Sequence, residues 1–197
     1  MATNKQDQAT TAPPAPQESG LKFFREILGQ DWVVSHLKSA MLGGRLSHAY
    51  LFLGPGGVGK AATARALAAA LNCAQPGADG DACGTCPSCR RMQAGTHPDF
   101  LVISTEEGKT QIKIEVIREL RRLTEYPPLG GGWRVVLIKP AEALTAQSDA
   151  AANALLKPWR SRLPNTCWCS PPGAKPTFCP PSCPGATSWP LRRCRRP

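Results

Sequence analysis

A glycine-rich loop between a predicted strand and an alanine-rich helix is the feature of this sequence that most directly indicates chemistry. The strand is Ala49–Leu53 and the helix begins at Lys60. In such a loop, backbone N–H groups converge on phosphate oxygens at the positive end of the helix dipole, and the lysine reaches the β- and γ-phosphates. The sequence therefore predicts a nucleotide-binding loop made of Gly54, Pro55, Gly56, Gly57, Val58, Gly59, Lys60 and Ala61.

The residues that hold Mg²⁺ in nucleotide-hydrolysing proteins are missing from this pattern. Ala61 stands where such loops carry Ser or Thr, and Thr63 comes two positions late. The predicted strand 134–138 runs into Lys139, where a carboxylate would hold the metal, and the nearest acidic residue is Glu142. Mg²⁺ neutralises charge during phosphoryl transfer. We therefore expect the loop to bind ATP without well-placed ligands for Mg²⁺, and to hydrolyse it little or not at all. We assign no catalytic residue.

Four cysteines follow the helix that begins at Lys60, and they predict a metal site. They are Cys73, Cys83, Cys86 and Cys89. Four thiolates complete the tetrahedral coordination of Zn²⁺ and leave no open position, so the predicted site is structural. We expect the polar segment 75–80 to be held in place only when metal binds. A redox pair and unrelated buried thiols are the alternatives, and His97 is a weaker candidate ligand, more typical of an ordinary loop residue.

Strand and helix patterns alternate from residue 32 to residue 157. Apolar runs predict the strands, and helical periodicity or high helix propensity predicts the helices. Such alternation is typical of an α/β fold with a parallel sheet, here a P-loop NTPase core with an inserted four-cysteine module at 73–89. The predicted strands are 49–53, 100–104 and 134–138, and the predicted helices are 32–42, 60–71, 114–124 and 149–157.

Composition predicts one folded core, residues 21–157, preceded by a leader. The chain has 197 residues, and its hydrophobic content of 42% is enough to fill one core. Residues 1–20 are polar and rich in Pro, Ala, Thr and Gln, without the apolar run of a secretion signal, so we expect them to be disordered. No apolar run reaches the roughly 18–20 residues of a membrane span. We therefore expect a cytoplasmic protein, in which paired thiols bind metal before they form disulfides.

Residues 158–197 differ in composition from the rest of the chain. They hold seven Lys and Arg and no acidic residue, whereas residues 1–157 hold 17 basic and 14 acidic residues. The net charge of +10 thus comes mainly from this tail and is weak support for a nucleic-acid surface. The tail also holds ten of the twenty prolines. Because proline at this density opposes both helix and strand, we expect no folded element there.

The sequence resembles bacterial DNA polymerase III clamp-loader subunits, AAA+ proteins of the gamma/tau and delta-prime types. Its cysteine cluster and three strings occur in the family's order: Ser-His-Ala-Tyr-Leu-Phe-Leu-Gly-Pro at 47–55, Thr-His-Pro-Asp at 96–99, and Ala-Ala-Asn-Ala-Leu-Leu-Lys at 151–157. The resemblance covers about residues 23–157. It implies a role in DNA replication, with the gamma/tau and delta subunits, the sliding clamp and primer-template DNA as partners. The missing Mg²⁺ ligands look like the delta-prime type, the stator that does not turn over ATP.

After residue 157 the sequence departs from the family, whose members continue with a segment like Thr-Leu-Glu-Glu-Pro, a strand and an arginine-finger motif. Codons for residues 158–162, read one base earlier, permit Thr-Leu-Glu-Glu-Pro with a loose fit at Arg162. Likewise, codons for 167–170 permit a core strand, and codons for 178–185 permit a family-like Ser-Arg segment. We interpret residues 158–197 as an out-of-frame reading, with a genuine tail as the alternative. The chain would then lack the fourth core strand, the trans-acting arginine, the lid and the collar domain.

Two other functions stay open besides a delta-prime-like stator. An active gamma/tau-type ATPase would use Thr63 or Glu142 in unusual roles. A zinc-knuckle nucleic-acid binder would use Arg90, Arg91 and the basic tail. The even charge of residues 1–157 disfavours this second alternative, because contacts to phosphates need an excess of basic residues.

Overall fold

A five-stranded sheet with helices on both faces organises the described part of the chain. The structure is a computed structural model that describes residues 23–105 and 111–144, and the backbone of 166–170 and 186–190. The helices are α1 (Asp31–Leu42), α2 (Lys60–Leu71), α3 (Pro87–Gln93) and α4 (Ile114–Thr124), with 3-10 helices at Phe24–Glu26 and Ala141–Leu144. The strands are β1 (Ala49–Leu53), β2 (Phe100–Ser104), β3 (Arg134–Lys139), β4 (Thr166–Ser170) and β5 (Ala186–Pro190).

All neighbouring strands of the sheet are parallel, in the order β2-β3-β4-β1-β5. β4 lies in the centre, where Trp168 is in register with Val136 of β3 and with Ala49 of β1. β5 pairs with the other side of β1 along all five residues. Because parallel neighbours need long crossover connections, this order is typical of an α/β fold, and the predicted fold class is confirmed.

Two parts of the tail form strands, so the prediction that residues 158–197 contain no folded element is wrong. The expectation that a fourth core strand is missing is wrong as well. β4 contains no proline, and Pro190 ends β5 at the edge of the sheet, where a missing N–H donor is tolerated. β4 also pairs with backbone groups of β1 and β3 on its two sides. Short stretches with no proline, or with proline only at the last position, therefore form strands despite the proline density of the whole tail.

β3 is buried on both faces and separates two clusters of core side chains. Val135 and Leu137 belong to one cluster, together with residues of α1, α2 and α3. Val136 and Ile138 belong to the other, together with Ile117 of α4. These four β3 side chains are at most 1% exposed. Burial on both faces is typical of a strand inside a parallel sheet, and it fixes where β3 begins and ends relative to its neighbours.

Periodic segments begin and end close to where the sequence predicts. The bounds of β1, α2, β2 and α4 are confirmed, whereas α1 begins one residue earlier and β3 ends one residue later. The sequence did not predict α3, whose seven residues are too few for a clear periodicity. The expected leader 1–20, the predicted helix 149–157 and the family-like segment 178–185 lie outside the described residues. Among the helices of residues 23–105 and 111–144, none has the length and apolar character to cross a membrane.

Candidate functional site

The predicted nucleotide-binding loop lies between the carboxyl end of β1 and the amino end of α2. Gly57 and Gly59 have φ angles of 76° and 95°, in the left-handed region that glycine adopts without strain. Among the described residues, no atom apart from the chain neighbours lies within 4 Å of a Cβ built on Gly56, Gly57 or Gly59. The first turn of α2 also has N–H groups without partners within the helix. Backbone shape and open space therefore fit a phosphate group at this position.

Lys60, the first residue of α2, folds back over this loop. Its Nζ donates hydrogen bonds to the carbonyl oxygens of Gly54 at 2.7 Å and Pro55 at 2.8 Å. The lysine ammonium thus lies against the loop backbone, on the side where the strand ends. The structure brings the eight predicted loop residues together as one continuous turn from β1 into α2.

The two residues proposed to replace the missing Mg²⁺ ligands lie in different parts of the fold. Thr63 is fully buried, and its Oγ1 donates to the carbonyl oxygen of Gly59 at 3.0 Å, one turn back in the helix. Its hydroxyl therefore faces the core side of α2 and not the open space over the loop. β3 ends at Lys139, and Glu142 lies beyond it, in the 3-10 helix Ala141–Leu144.

The four predicted metal-binding cysteines come together at the opposite end of α2. Their sulfur atoms all lie within 4.8 Å of one another, and all four cysteines are free thiols. The Cys73–Cys86 and Cys83–Cys89 sulfur pairs are 4.0 Å apart, and the Cys73–Cys89 pair is 3.8 Å apart. A tetrahedral Zn²⁺ with Zn–S bonds of about 2.3 Å separates its sulfur ligands by about 3.8 Å. The donor set and its spacing therefore fit Zn²⁺.

Short-range structure positions these thiols and shifts their pKa values in different directions. Cys73 follows the end of α2, whereas Cys86 caps α3, and its sulfur accepts the N–H of Cys89 at 3.4 Å. Backbone N–H groups of Thr85 and Cys86 lower the pKa of the Cys83 thiol to about 6. Burial instead raises the pKa of Cys89, which makes a bound cation the natural counter-charge for its thiolate.

His97 does not join the cysteine cluster. Its Nδ1 accepts the backbone N–H of Asp99 at 3.2 Å, so the ring proton lies on Nε2, which is 3.1 Å from Ser88 Oγ. The side chain is buried, and desolvation lowers its pKa below 6.5. Neutral His97 thus connects α3 to the start of β2, and its candidacy as a ligand is not supported by this geometry.

Comparison with known proteins agrees with this combination of loop and cluster. A family model described as "DNA polymerase III, delta subunit" matches residues 29–159. The chain belongs to the DNA polymerase III delta subunit family. The Pseudomonas aeruginosa DNA polymerase III subunit delta' is 46% identical over 120 residues, which are 60% of this chain and 35% of that protein.

Relatives of this delta-subunit family member include gamma/tau proteins. DNA polymerase III subunit gamma/tau of Mycobacterium bovis is 39% identical over 134 residues, 68% of this chain and 22% of that protein. Subunit tau of Escherichia coli is 37% identical over 134 residues, 68% of this chain and 20% of that protein. The chain therefore spans about a third or less of the length of these curated relatives.

Sequence reasoning missed Asp81, a buried carboxylate in the delta-subunit family member's cysteine module. Asp81 accepts backbone N–H groups from Phe24 at 3.1 Å and Arg25 at 3.1 Å. Nearby, exposed Asp79 pairs with Lys38 of α1 at 2.7 Å. The expectation that segment 75–80 is held only by metal is therefore wrong, because charged side chains also attach this module to the start of the domain. Spacing along the chain gives no signal for such contacts.

A second group of buried polar side chains fixes the segment before β3 in this family member. Asp99 is fully buried, accepts the N–H groups of Leu129 and Gly130 at 2.8 and 2.7 Å, and pairs with Arg134 at 3.3 Å. Asn72, at the end of α2, exchanges two hydrogen bonds of 2.9 Å with the backbone of Trp133. The string at 96–99 contained Asp99, which was the one available signal for this network.

Proposed function

We propose that this protein is a delta-prime-like stator subunit of the DNA polymerase III clamp loader. Its AAA+ core helps to load the sliding clamp onto primer-template DNA in the cytoplasm, together with the gamma/tau and delta subunits. The family match and the delta' relative support this assignment. The observation that carries it is the position of Thr63, which is fully buried and whose hydroxyl donates to the carbonyl oxygen of Gly59 and so does not replace the missing Mg²⁺ ligand.

The loop from Gly54 to Ala61 would hold ATP through its backbone and Lys60, with weak or no hydrolysis. The test measures binding of a fluorescent ATP analogue and release of phosphate, each with and without Mg²⁺. We expect binding that Lys60→Ala weakens by about tenfold or more, little dependence of binding on Mg²⁺, and negligible turnover. Ala61→Thr restores a hydroxyl at the usual position and is expected to make binding Mg²⁺-dependent. Substantial Mg²⁺-dependent turnover of the unchanged protein would overturn the stator assignment.

A gamma/tau-type ATPase is the second candidate, because several relatives carry that name. It requires turnover that is lost in Lys60→Ala and reduced when Glu142 is changed to Gln. Thr63→Val serves as the matched control, since its hydroxyl donates within α2. Loss of turnover in this control, with the fold intact, would favour the gamma/tau-type enzyme over the stator.

The four cysteines would hold one structural Zn²⁺, and the sulfur spacing supports this proposal. Metal analysis of protein purified without chelator is expected to find one zinc per chain. Replacement by Co²⁺ is expected to give the intense visible absorption of tetrahedral thiolate coordination. Less than a tenth of a zinc per chain, in protein whose fold is intact, would overturn the proposal.

The out-of-frame interpretation of residues 158–197 remains a separate proposal. The family match ends at residue 159, close to where the string at 151–157 ends, and this supports it. Resequencing the encoding DNA across codons 155–197 tests the proposal directly. A corrected frame that encodes Thr-Leu-Glu-Glu-Pro is the expected result, whereas an unchanged frame would make the tail, with its two strands, a genuine part of this chain.

A further inference from the structure

The cysteine module lies across the start of the domain. Residues 73–89 contact both the segment 23–30, which precedes α1, and α1 itself. Phe23, Phe24 and Ile27 of that segment are buried in the same core cluster as Cys86 and Cys89. The module therefore does more than extend α2, because it covers the first structured residues of the chain.

Asp81 makes the central contact between the two regions. It is 4% exposed, and its carboxylate accepts the N–H groups of Phe24 and Arg25 at the first turn of the 3-10 helix Phe24–Glu26. The Arg25 guanidinium lies 3.7 Å from the same carboxylate and 3.9 Å from the centre of the Phe23 ring. A single carboxylate of the module thus satisfies two backbone donors that the helix leaves unpaired.

Two glycines of the module make close contacts on either side of Asp81. A Cβ on Gly84 would lie 2.9 Å from Phe23 Cζ, and a Cβ on Gly80 would lie 2.9 Å from Met41 Cε in α1. Both glycines also have positive φ angles, 81° and 77°. The module backbone therefore packs directly against Phe23 and against Met41 of α1, in a backbone conformation that side chains other than glycine rarely adopt.

We propose that metal at the four-cysteine cluster acts as a latch that holds the segment 23–30 on the core, an inference that rests on the proposed zinc site. Asp81 lies between Cys73 and Cys83 in sequence, only two positions before Cys83. A metal bound to both cysteines closes the loop that carries Asp81 and lowers the entropy cost of holding its carboxylate against Phe24 and Arg25. Without metal, this loop gains freedom, and the two N–H groups lose their acceptor.

The latch is tested by amide hydrogen exchange on the full chain, loaded with ZnCl₂ and then stripped with a chelator. We expect the amides of Phe24 and Arg25 to exchange roughly ten- to a hundredfold faster after stripping, the factor expected for losing hydrogen bonds to a charged acceptor. The amide of Val135, which donates to the carbonyl of Asp99 at 2.8 Å, is the internal control and keeps its rate. Added ZnCl₂ restores the original rates.

Variants separate the latch from the metal site. Asp81→Ala is expected to keep one zinc per chain while the Phe24 and Arg25 amides exchange as fast as in stripped protein. Asp79→Ala, the control, removes the exposed pair with Lys38 and the acceptor of the Asp81 N–H, keeps the Asp81 carboxylate, and is expected to leave both amides protected. Unchanged Phe24 and Arg25 rates after complete stripping would overturn the latch alone. A folded chain that binds no zinc would overturn both the zinc site and the latch.

Discussion

The parallel strands of the sheet all begin at one side, the amino edge, and all end at the other side, the carboxyl edge. The side chains at these two edges are fixed differently, and helix α2 runs from the carboxyl edge to the amino edge. At the carboxyl edge, α2 begins at Lys60 beside glycines with open space around them. At the amino edge, α2 ends just before Asn72 and Cys73, where the Asn72 amide bonds to Trp133, four thiols lie together, and Asp99 pairs with Arg134. The same helix thus has an adaptable end and a fixed end.

This difference shows how the fold separates a region that could receive a ligand from a region that supports it. Loops that must receive a ligand come from regions of low local stability, while a rigid scaffold positions them. Here the fixed contacts lie at the amino edge, away from the loop that would bind phosphate. We therefore expect changes at the amino edge to reduce stability strongly, and changes at the loop to alter binding with little loss of stability.

The largest effect is expected from Cys89→Ser, which removes a fully buried ligand from the amino edge. Loss of metal should lower the free energy of unfolding by about 4 kcal/mol or more. Urea unfolding combined with zinc analysis measures both quantities. The neighbouring substitution Ser88→Ala is the control and should keep the metal. A Cys89→Ser protein of normal stability would show that the amino edge does not depend on the cluster.

Arg134→Met is expected to cost about 3–5 kcal/mol of unfolding free energy, because it leaves Asp99 as a buried charge without its partner. Arg134 also donates to the carbonyl oxygens of Leu123, Tyr126 and Pro127. Chemical denaturation provides the measurement. Arg122→Met removes an exposed pair with Glu119 and should cost at most about 1 kcal/mol. Equal costs for both variants would contradict the importance of burial at this edge.

Asn72→Ala should have an intermediate effect, a loss of about 1–3 kcal/mol, since it removes the side-chain partners of the half-buried N–H and carbonyl groups of Trp133. Thermal and urea unfolding are suitable measurements. Exposed Gln75, three positions later, offers a matched control, because Gln75→Ala should change stability by no more than about 0.5 kcal/mol. If the two variants behave alike, the amide does not hold α2 against β3.

Buried His97 predicts that the stability of the folded chain depends on pH. Burial lowers its folded-state pKa below the ordinary value of 6.5, so the unfolded chain takes up the proton first. The contribution of neutral His97 to the free energy of unfolding is therefore fully present above pH 6.5 and is lost as pH falls below that value. Urea midpoints measured from pH 7.5 to pH 5.5 should fall less steeply in His97→Gln than in the unchanged protein.

The smallest change in stability is expected from Lys60→Ala at the carboxyl edge, within about 1 kcal/mol, because its ammonium donates to the carbonyls of Gly54 and Pro55 in an open loop. Affinity for ATP should nevertheless fall by about tenfold or more, since the charge that faces the phosphates is removed. Parallel urea unfolding and nucleotide titration make the comparison. A strongly destabilised Lys60→Ala protein would remove the contrast between the two edges.

Periodic elements and local motifs were predictable because their signals lie within a few residues. The loop before α2 and the alternation of β1, α2 and β2 follow from local pattern. The four cysteines could be assigned to one site by type and spacing alone. In contrast, the contacts of Asp81 with Phe24 and of Asn72 with Trp133 join residues more than fifty positions apart. No local pattern encodes such pairs, so they become visible only in the folded chain.

The tail shows the opposite limit of sequence reasoning. Its proline content predicted no structure, yet β4 and β5 occupy places in the sheet. The composition of the whole tail averages over the five-residue stretches that form strands. It also carries no information about strands elsewhere in the chain, such as β1 and β3, whose backbone groups need a partner.

The place of β1 in the sheet has a consequence for the order in which the protein is made. Both strands that pair with β1, namely β4 and β5, come from residues 166–190. On the ribosome, β1 and the loop that follows it emerge early, but neither strand partner exists until residues 166–190 have been synthesised. Contacts between residues so distant in sequence form slowly. The nascent chain must therefore keep an apolar strand from pairing wrongly until these residues have emerged.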